Sequence, residues 1–385
     1  MAGPFASFQD EIYLAGTTGV RPPFTTDLAG LEAAARQALE PRAFGYVAGG
    51  AGSMSTVRAN RAAFERWRIV PRMLRDVSRR DLATTVLGTP MPAPVLLAPV
   101  GVQTIVHPEG ELASARAAAA LGLVFVHSTA AAHSIEEVAE ASGDGPRWYQ
   151  LYWPRDRAVA ASLVSRAEAA GYAALVVTVD TFALGWRPVD LDAAYLPFLE
   201  GVGIANYLSD PAFNRSLPPG AGDVDKVLRW AGIFGDPSLT WDDLAWLRRR
   251  TSLPLVVKGI LHPQDARAAV AAGVDGIVVS NHGGRQVDGA LASLDALPAV
   301  LDEVAGAVPV VLDSGVRTGA DVVKAISLGA AAVLYGRPYV YGLGLGGQEG
   351  VEQVLRCLLG ELDATMALSG QATLADLGAD VLVRP

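Results

Sequence analysis

Short runs of almost entirely apolar residues recur along the chain, separated by longer segments rich in Ala with interspersed charges. Strands covered on both faces are apolar at nearly every position, so the runs predict buried parallel strands. Most follow one another at roughly 22 to 33 residues, the length of a strand plus a crossover helix. The eight predicted strands are PVLLAPV, LVFVHS, RWYQLYW, ALVVTVD, PLVVKGI, GIVVSNH, PVVLDSG and AAVLYGR.

The segments between the runs predict amphipathic helices. HPEGELASARAAAALG, DRAVAASLVSRAEAAG and HPQDARAAVAAG each end on the Gly that is typical just past a helix. Eight strand–helix units favour a closed barrel over an open sheet. We therefore predict the α/β class and a (β/α)8 TIM barrel, as a single domain over residues 1–385.

Two segments depart from this rhythm. Residues 1–75 precede the first strand and predict an N-terminal helical cap on a barrel that spans 76–370. About 75 residues separate the fourth strand from the fifth, with Pro, Trp and Tyr scattered among them. A connection of that length is usually functional, so residues 181–252 are predicted to be an insert that acts as a lid or a subunit contact.

Composition narrows the class of protein. The chain has 51% hydrophobic and 18% charged residues, enough for a large core, and its net charge of −9 without a basic cluster argues against nucleic-acid binding. Cys357 is the single cysteine, so no internal disulfide is expected. The N-terminus has no basic segment before an apolar run, and the longest apolar stretch is shorter than the roughly 20 residues of a membrane span. These features predict a cytoplasmic protein with no membrane segment.

Polar or turn-forming residues close all eight predicted strands. Any one of them could cap a helix or simply be solvated, but eight together predict a site, because TIM barrels carry their chemistry at the carboxyl ends of strands. The residues at the strand ends are Pro99, Gly101, Ser128, Gln150, Tyr152, Thr178, Asp180, Lys258, Ser280, His282, Asp313, Gly315, Gly336 and Arg337.

The loops after strands seven and eight indicate a phosphate site. They read DSGVRTG and GRP, and each combines Gly with Arg where these barrels bind phosphate. A second glycine motif, GLGLGG at residues 342–347, formally matches a dinucleotide fingerprint. We reject that interpretation because Pro338 interrupts the approach and too little chain remains for a βαβ unit.

The motif SNHGGRQ, at residues 280–286, carries a family resemblance. With YVAGGAG, APVG, QLY, VKGI and DSGVRTG, it makes the chain resemble the FMN-dependent 2-hydroxy-acid oxidising enzymes, which include glycolate oxidase, lactate oxidase, mandelate dehydrogenase and lactate 2-monooxygenase. The resemblance runs from about Tyr13 to the C-terminal helices. DEIYLAG, DTFALGWRPVDL and YLPFLEGVGIANYLSDPAF make the chain most similar to the lactate 2-monooxygenases.

The resemblance implies FMN as cofactor and assigns residues to it. The backbone of 99–101 is expected beside flavin N5, the side chains of 128, 150 and 178 along the ring edge, and Lys258 near N1 and the C2 carbonyl. The strand-seven and strand-eight loops are expected to hold the ribityl chain and the phosphate. The implied cofactor set is Pro99, Val100, Gly101, Ser128, Gln150, Thr178, Lys258, Ser280, Asp313, Ser314, Gly315, Arg317, Gly336 and Arg337.

Substrate chemistry is assigned to the rim of the barrel. Oxidising a 2-hydroxy acid requires a base over the substrate carbon, and His282 is the candidate, with Asp180 orienting its imidazole. A guanidinium fork matches a carboxylate, so Arg187 and Arg285 are expected to bind the acid group. The complete substrate and catalytic set is His282, Asp180, Arg187, Arg285, Tyr46 and Tyr152.

The other histidines are predicted to be structural, and no metal is expected, because none of them shows metal-ligand spacing. They are His107, His127, His133 and His262.

The expected reaction is oxidation of an L-2-hydroxy acid, with lactate the expected substrate, to the 2-keto acid, O2 reoxidising the flavin. The monooxygenase resemblance adds decarboxylation to acetate, CO2 and water. Alternatives are an oxidase that releases H2O2, a dehydrogenase with another electron acceptor, a phosphate-binding aldolase or isomerase, and an inactive scaffold. Because Gly101 lacks a methyl that Ala would place near N5, Gly101→Ala is expected to favour pyruvate and peroxide. A homo-oligomer of four or eight subunits is implied by the resemblance.

Overall fold

A computed structural model describes residues 4–384; residues 1–3 and 385, at the ends of the predicted cap and domain, lie outside the described residues. Eight parallel strands, β4 to β11, close into a barrel in which β11 pairs with β4, and this confirms the predicted (β/α)8 TIM barrel. The strands are β1 Arg68–Ile69, β2 Thr84–Val86, β3 Thr89–Met91, β4 Val95–Leu97, β5 Val124–Ser128, β6 Arg147–Tyr152, β7 Leu175–Thr178, β8 Leu255–Ile260, β9 Gly276–Val279, β10 Val310–Leu312, β11 Ala332–Tyr335 and β12 Leu382–Val383.

Sixteen α-helices are found within residues 4–384, and most surround the barrel. They are α1 Ser7–Gly16, α2 Leu31–Ala38, α3 Pro41–Ala48, α4 Ser55–Glu65, α5 Gly110–Ala120, α6 Ile135–Ser142, α7 Arg157–Ala169, α8 Pro188–Asp192, α9 Ala205–Leu208, α10 Pro211–Arg215, α11 Asp223–Ile233, α12 Asp243–Arg248, α13 Pro263–Ala271, α14 Ser293–Val304, α15 Gly319–Ser327 and α16 Arg337–Ser369. Short 3-10 helices lie at Gln103–Ile105, Pro197–Glu200, His282–Gly284, Leu374–Asp376 and Ala379–Val381.

The core has two layers because strand side chains alternate in direction. Small branched side chains such as Val126, Val176 and Val256 fill the barrel interior, together with Trp148. The alternate positions, such as Phe125 and Val177, pack outward against the helices. This two-sided burial is the physical reason that the strand sequences are apolar throughout.

Additional elements cover the two ends of the barrel. Helices α1 to α4 precede it, and a β2–β3 hairpin leads into the first barrel strand. Near the C-terminus β12 pairs antiparallel with β1, which ties the last described residues back to the cap. The connection between β7 and β8 holds α8 to α12 and the 3-10 helix Pro197–Glu200.

Glycines mark helix ends and one internal kink. Gly122, Gly171 and Gly273 follow α5, α7 and α13 with φ between 66° and 78°, as the sequence predicted. The GLGLGG run lies inside α16, where Gly346 and Gly347 depart from helical geometry and bend the helix. Of the helices in residues 4–384, none combines the length and the apolar run that a bilayer crossing requires.

Candidate active site

A cavity opens at the carboxyl ends of the barrel strands. Its space, counted to the open solvent, is about 1,060 Å³. The cap and the insert contribute walls as well as the strand ends. Of the residues predicted from the sequence, the lining includes Tyr46, Pro99, Val100, Gly101, Tyr152, Arg187, Lys258, His282, Arg285, Asp313, Ser314, Gly315, Arg317, Gly336 and Arg337.

His282 projects from a tight turn that follows β9. Three consecutive residues have positive φ, 57° at His282, 63° at Gly283 and 76° at Gly284, and for His this conformation costs roughly 1–3 kcal/mol. A Cβ at residue 284 would overlap Val57 of α4, so glycine is required there. The close approach of the cap to this turn explains Gly284, whereas a Cβ on Gly283 would meet the guanidinium of Arg337.

The turn is held by a pair of buried amides. Asn60 Nδ2 donates to Asn281 Oδ1 at 2.8 Å, and Asn281 Nδ2 donates to Asn60 Oδ1 at 2.7 Å. Asn281 Oδ1 also accepts from the Gly284 backbone N–H at 3.1 Å. Because Asn60 belongs to α4, the cap positions the histidine turn, a role that the sequence analysis did not assign to either asparagine.

The imidazole of His282 is oriented by a carboxylate. Nδ1 lies 2.8 Å from Asp180 Oδ1 and 3.1 Å from Thr181 Oγ1, and the Thr181 hydroxyl donates to the same Asp180 oxygen at 2.8 Å. Burial lowers the pKa of His282, and the attraction of Asp180 opposes that effect. Burial raises the pKa of Asp180, but His282 and Lys258 outweigh it and bring that pKa down to about 2. The pair is therefore neutral imidazole and carboxylate near pH 7.

The other ring nitrogen of His282 faces the cavity. With a proton on Nδ1 donated to Asp180, Nε2 carries a lone pair, and it lies 3.3 Å from the Tyr152 hydroxyl. Burial raises the pKa of Tyr152, so the tyrosine is a hydrogen-bond donor here. A lone pair that is oriented from behind and accessible from the cavity is what a general base requires.

Two guanidinium groups flank the histidine. Arg187 Nε donates to the Arg285 carbonyl at 3.0 Å, and its Nη2 donates to Gln286 Oε1 at 2.9 Å. Burial and the neighbouring Arg285 lower the pKa of Arg187 to about 10, which still leaves it charged. Among residues 4–384 Arg187 has no carboxylate partner. Two adjacent cations in a cavity make a site for an anion.

Arg285 is fixed from the cap side. Its Nη1 donates to the carbonyl oxygens of Tyr46 and Gly49 at 2.5 and 3.0 Å, and its guanidinium lies 4.8 Å from the Tyr46 ring centroid. Asp190 of α8 is 3.9 Å from Nη2, and burial raises the pKa of that carboxyl. The Arg285 guanidinium has five N–H donors, and these contacts use only some of them, so the others remain available to a ligand.

A buried ion pair forms part of the cavity floor. Lys258 Nζ is 3.2 Å from Asp313 Oδ2 and donates to Ser280 Oγ at 3.0 Å, while Ser280 donates to Asp313 at 2.5 Å. Burial lowers the pKa of Lys258, but Asp313 and Asp180 outweigh it and raise that pKa overall. Ser280 also accepts from the His282 backbone N–H at 3.0 Å, so it links the ion pair to the histidine turn.

The far end of the cavity suits a phosphate. Arg317 and Arg337 line it and form no ion pair within the described part of the chain. Arg337 donates to the carbonyl oxygens of Val47, Gly283 and Gly49 at 2.8 to 3.0 Å, which uses three of its five N–H groups. Arg337 also begins the 33-residue helix α16, whose amino end favours an anion.

Four residues of the implied cofactor set do not reach the cavity wall. Ser128 donates to Gln150 Oε1 at 3.0 Å, and Gln150 donates to Thr178 Oγ1 at 2.9 Å, so these three form a buried chain beneath it. Ser280, the fourth, and Asp180 of the catalytic set also lie behind the wall, each bonded to a residue that lines it. The sequence predicted that the strand-end residues form one site, and the structure arranges them in two layers.

The expectation for Gly101 needs correction. A Cβ built on Gly101 would overlap the carbonyl oxygen of Ala130 and lie 3.0 Å from its carbonyl carbon and its Cβ. The methyl of an alanine would therefore meet the loop after β5 instead of occupying free space in the cavity. Gly101→Ala has to displace backbone, so a change of product ratio could not be assigned to a methyl beside N5.

The remaining histidines have other partners. His127 points outward from β5 and lies 2.9 Å from the Tyr172 hydroxyl, and His133 lies 2.9 Å from Glu111. His262 caps α13, and His107 accepts from the Glu109 backbone N–H. Within residues 4–384 no group of His, Cys, Asp and Glu side chains has the arrangement of a metal site.

The insert supplies residues that the sequence analysis did not single out. Phe198 and Phe234 line the cavity together with Leu184.

Gln286, which lies outside the insert, was also not singled out. It donates to the Asp180 carbonyl at 2.8 Å while it accepts from Arg187. Thr181 and Gln286 could have been found because they adjoin Asp180 and Arg285 in sequence, but nothing in the sequence marks either phenylalanine.

Comparison with known proteins identifies the family. A profile described as FMN-dependent dehydrogenase matches residues 35–384. The L-lactate oxidase of Lysinibacillus sphaericus is 46% identical, with 94% of each chain covered. The 2-hydroxyacid oxidase 1 of Homo sapiens is 45% identical over 87% of this chain and 90% of its own. A crystal structure of mandelate oxidase superposes with a TM-score of 0.82 at 40% identity, covering 94% of this chain and 98% of the other.

The site fits the cofactor that this family uses. The cavity extends from the 99–101 backbone to Arg317 and Arg337, and these two arginines have no acidic partner within the described residues. The match covers nine-tenths of the chain, and the fold and the charge distribution agree with it. The chain belongs to the FMN-dependent dehydrogenase family, and its cofactor is FMN.

Proposed function

We propose that the protein oxidises an L-2-hydroxy acid to the 2-keto acid with FMN bound and O2 as the electron acceptor. The observation that carries this proposal is the position of His282 Nε2, in one cavity with the guanidinium groups of Arg187 and Arg285. A base and two carboxylate-binding cations are the groups that a 2-hydroxy acid needs. The relatives named as oxidases support O2 as the acceptor.

Substrate binding is assigned to the arginine pair and Tyr46. The carboxylate of the acid would accept hydrogen bonds from Arg187 and Arg285, and Tyr46, which lies against Arg285, would complete that contact. Because both guanidinium groups are anchored to carbonyl oxygens, little side-chain entropy would be lost on binding. This fixed geometry would place the hydroxyl-bearing carbon beside His282.

Proton removal is assigned to His282. Its Nε2 would take the proton that leaves the substrate, and the imidazolium so formed would be stabilised by Asp180, 2.8 Å from Nδ1. Tyr152, 3.3 Å from Nε2, would donate a hydrogen bond to the substrate oxygen. The insert would exclude water from around the carboxylate of the bound acid. This would strengthen each of these interactions.

Bound FMN supplies the acceptor for the two electrons of the oxidation. The phosphate and ribityl chain are assigned to Asp313, Ser314, Gly315, Arg317, Gly336 and Arg337, and the ring to the 99–101 backbone and Lys258. Ser128, Gln150 and Thr178 form one hydrogen-bonded chain. They are assigned to the edge of the flavin ring, which the residues at the ends of this chain would contact. Lys258, held charged by Asp313, would offset negative charge on the ring.

Oxidative decarboxylation is a second candidate, because the insert encloses the pocket. Arg187 and Phe198, both from the insert, are 7% and 5% exposed while they line the cavity. A keto acid retained behind them would meet peroxide before release and lose CO2, as the resemblance to lactate 2-monooxygenases implies. Rapid release would instead give the 2-keto acid and H2O2.

The decisive experiment is turnover of a panel of L-2-hydroxy acids, lactate included, with keto acid, H2O2 and CO2 quantified together. Under anaerobic conditions the acid should bleach the yellow absorbance of the holoenzyme, and readmitted O2 should restore it. Peroxide in equal amount to keto acid identifies an oxidase, whereas CO2 in its place identifies the monooxygenase reaction. No bleaching with any L-2-hydroxy acid would contradict the proposal and favour an inactive scaffold.

Lactate is the acid that the sequence resemblance indicates, so it is the reference substrate of the panel. Two further predictions accompany this function. A tetramer or octamer is expected, and light scattering on the holoenzyme measures it. A cytoplasmic location is expected from the single cysteine, and fractionation of the source cells checks it.

A further inference from the structure

The site described above accounts for two of the three large substituents on the substrate carbon. The carboxylate is assigned to Arg187 and Arg285, and the hydroxyl to His282 and Tyr152. The third substituent, the carbon side chain of the acid, must point toward a part of the wall that contains none of these groups. Several apolar side chains line the cavity, and among them Phe198 and Phe234 are the aromatic ones that come from the insert.

These two rings belong to one packed aromatic cluster. Trp230 of α11 lies behind them, with ring centroids 4.8 Å from Phe198 and 5.0 Å from Phe234. Phe234 also lies 5.3 Å from the ring of Tyr152, which itself contacts His282. The distances fall within the usual range for favourable aromatic pairs. The apolar surface is therefore rigid and begins beside the catalytic imidazole.

Small residues adjoin this cluster. Ala130 lines the cavity, and its Cβ lies 3.0 Å from the place that a Cβ on Gly101 would take. Gly203, with φ of 88°, lies where a Cβ would come within 2.7 Å of the Phe198 ring and 3.0 Å of the Ala130 carbonyl. These contacts seat Phe198 closely on the loop after β5 and allow its ring to remain at the wall.

We propose that this wall selects 2-hydroxy acids whose C3 carries a bulky apolar group, branched alkyl or aryl, over lactate and glycolate. The inference rests on the proposed function and specifies the side chain that it accepts. A methyl group would leave most of the aromatic surface in contact with water, whereas a larger apolar group would bury it. Each additional methylene in an apolar pocket changes specificity by roughly 10- to 200-fold.

The test compares kcat/KM of the holoenzyme for L-lactate, L-2-hydroxy-4-methylpentanoate and L-3-phenyllactate. The two larger acids are expected to exceed lactate by about 10-fold or more. Lactate equal to or better than both would overturn the inference and leave the proposed function intact. Failure of all three acids to reduce the holoenzyme would instead contradict the proposed function, so the two failures are distinguishable.

Variants locate the preference on the cluster. Phe234→Ala should reduce the ratio of phenyllactate to lactate kcat/KM by about 10-fold. Leu199→Ala is the matched control, because Leu199 adjoins Phe198 but is 61% exposed and does not line the cavity. An unchanged ratio in Phe234→Ala, with a folded holoenzyme, would place the preference elsewhere and contradict the proposal.

A binding measurement gives a second readout that requires no turnover. Hydrocinnamate and propionate have the carboxylate but no hydroxyl group, so they report on the pocket alone. Calorimetry on the holoenzyme should give tighter binding of hydrocinnamate by about 10-fold or more, and Phe198→Ala should remove most of that difference. Equal affinities in the original protein would overturn the inference even where the alanine variants fold poorly.

Discussion

The surroundings of His127 and of His282 show what separates a structural histidine from the one proposed as the base. Both are at or near the ends of barrel strands, and burial lowers the pKa of each. His127 points outward, with Nδ1 2.9 Å from the Tyr172 hydroxyl and Nε2 enclosed without a partner among the described residues. His282 has a carboxylate on Nδ1 and the cavity on Nε2.

The difference lies in the charge of the partner and in access. Burial brings the pKa of His127 down to about 4, where a hydroxyl partner cannot restore basicity. Asp180 supplies a negative charge that partly offsets burial at His282. By this comparison, a buried histidine is suited to act as a base where a carboxylate accepts from one ring nitrogen and the other ring nitrogen faces a cavity.

Replacing the two histidines should give the largest contrast. His282→Gln removes the accepting lone pair and should lower kcat by about 10²- to 10⁴-fold, since that is what a general base contributes. His127→Phe keeps a flat ring in the same core position and should leave kcat within about twofold. Steady-state kinetics with equal FMN content measures both. Comparable losses in the two variants would show that the comparison is wrong.

Removing the carboxylate should weaken catalysis and change its pH dependence. Asp180→Asn should lower kcat by about 10²- to 10³-fold, because the imidazolium loses its counter-charge. The base works when unprotonated, so kcat/KM falls as pH drops through the pKa of His282. Loss of Asp180 lowers that pKa further, and the acid limb should move to lower pH.

The matched control for Asp180→Asn is Tyr172→Phe, which removes the partner of His127. It should change neither kcat nor the acid limb of the pH profile. A shift of the limb to higher pH in Asp180→Asn would contradict the electrostatic argument.

Acid should destabilise the fold through His127. The unfolded chain takes up a proton near pH 6.5, whereas the folded protein resists until about pH 4. The neutral histidine therefore contributes stability above pH 6.5 that is lost as pH falls toward 4, by about 3 kcal/mol in total. Denaturant unfolding at pH 7 and pH 4.5 measures this slope. The free energy of unfolding of His127→Phe should change less between those two pH values. An identical change in the variant would exclude His127 as the source of the pH dependence.

Thr181 should show the smallest effect. Its hydroxyl lies between Asp180 Oδ1 and His282 Nδ1, on the side of the imidazole away from Nε2, so we expect it to position the pair. Thr181→Val should lower kcat by about 3- to 10-fold with KM unchanged, since one hydrogen bond of ordinary strength is lost. Thr181→Ser should restore kcat. A change confined to KM would instead indicate that the threonine acts on substrate binding.

Much of this molecule follows from local sequence rules. The strands were predictable because side chains buried on both faces are apolar throughout, as Val256 inside the barrel and Val257 outside it illustrate. His282 and Asp180 were predictable because strand ends meet at one edge of a barrel. The arginine-lined end of the cavity was predictable from the glycines and arginines of the loops after the last two barrel strands.

Other parts depend on contacts between distant segments. The Asn60–Asn281 pair joins residues 221 positions apart, and Phe198 and Phe234 reach the cavity only through the folding of the insert. Whether Gly101 leaves free space depended on Ala130, in a different loop. Sequence patterns report the direction of a side chain along its own element, but not which other element lies opposite.

Arg337 gives the molecule a mechanical property. One guanidinium ties α3 of the cap, through the Val47 and Gly49 carbonyls, to Gly283 in the histidine turn. The cap and the turn must therefore open together. A phosphate bound to the remaining N–H groups of Arg337 would strengthen this link between the cap and the turn. Amide hydrogen exchange in the cap should therefore slow when only the ribityl phosphate part of the cofactor is bound.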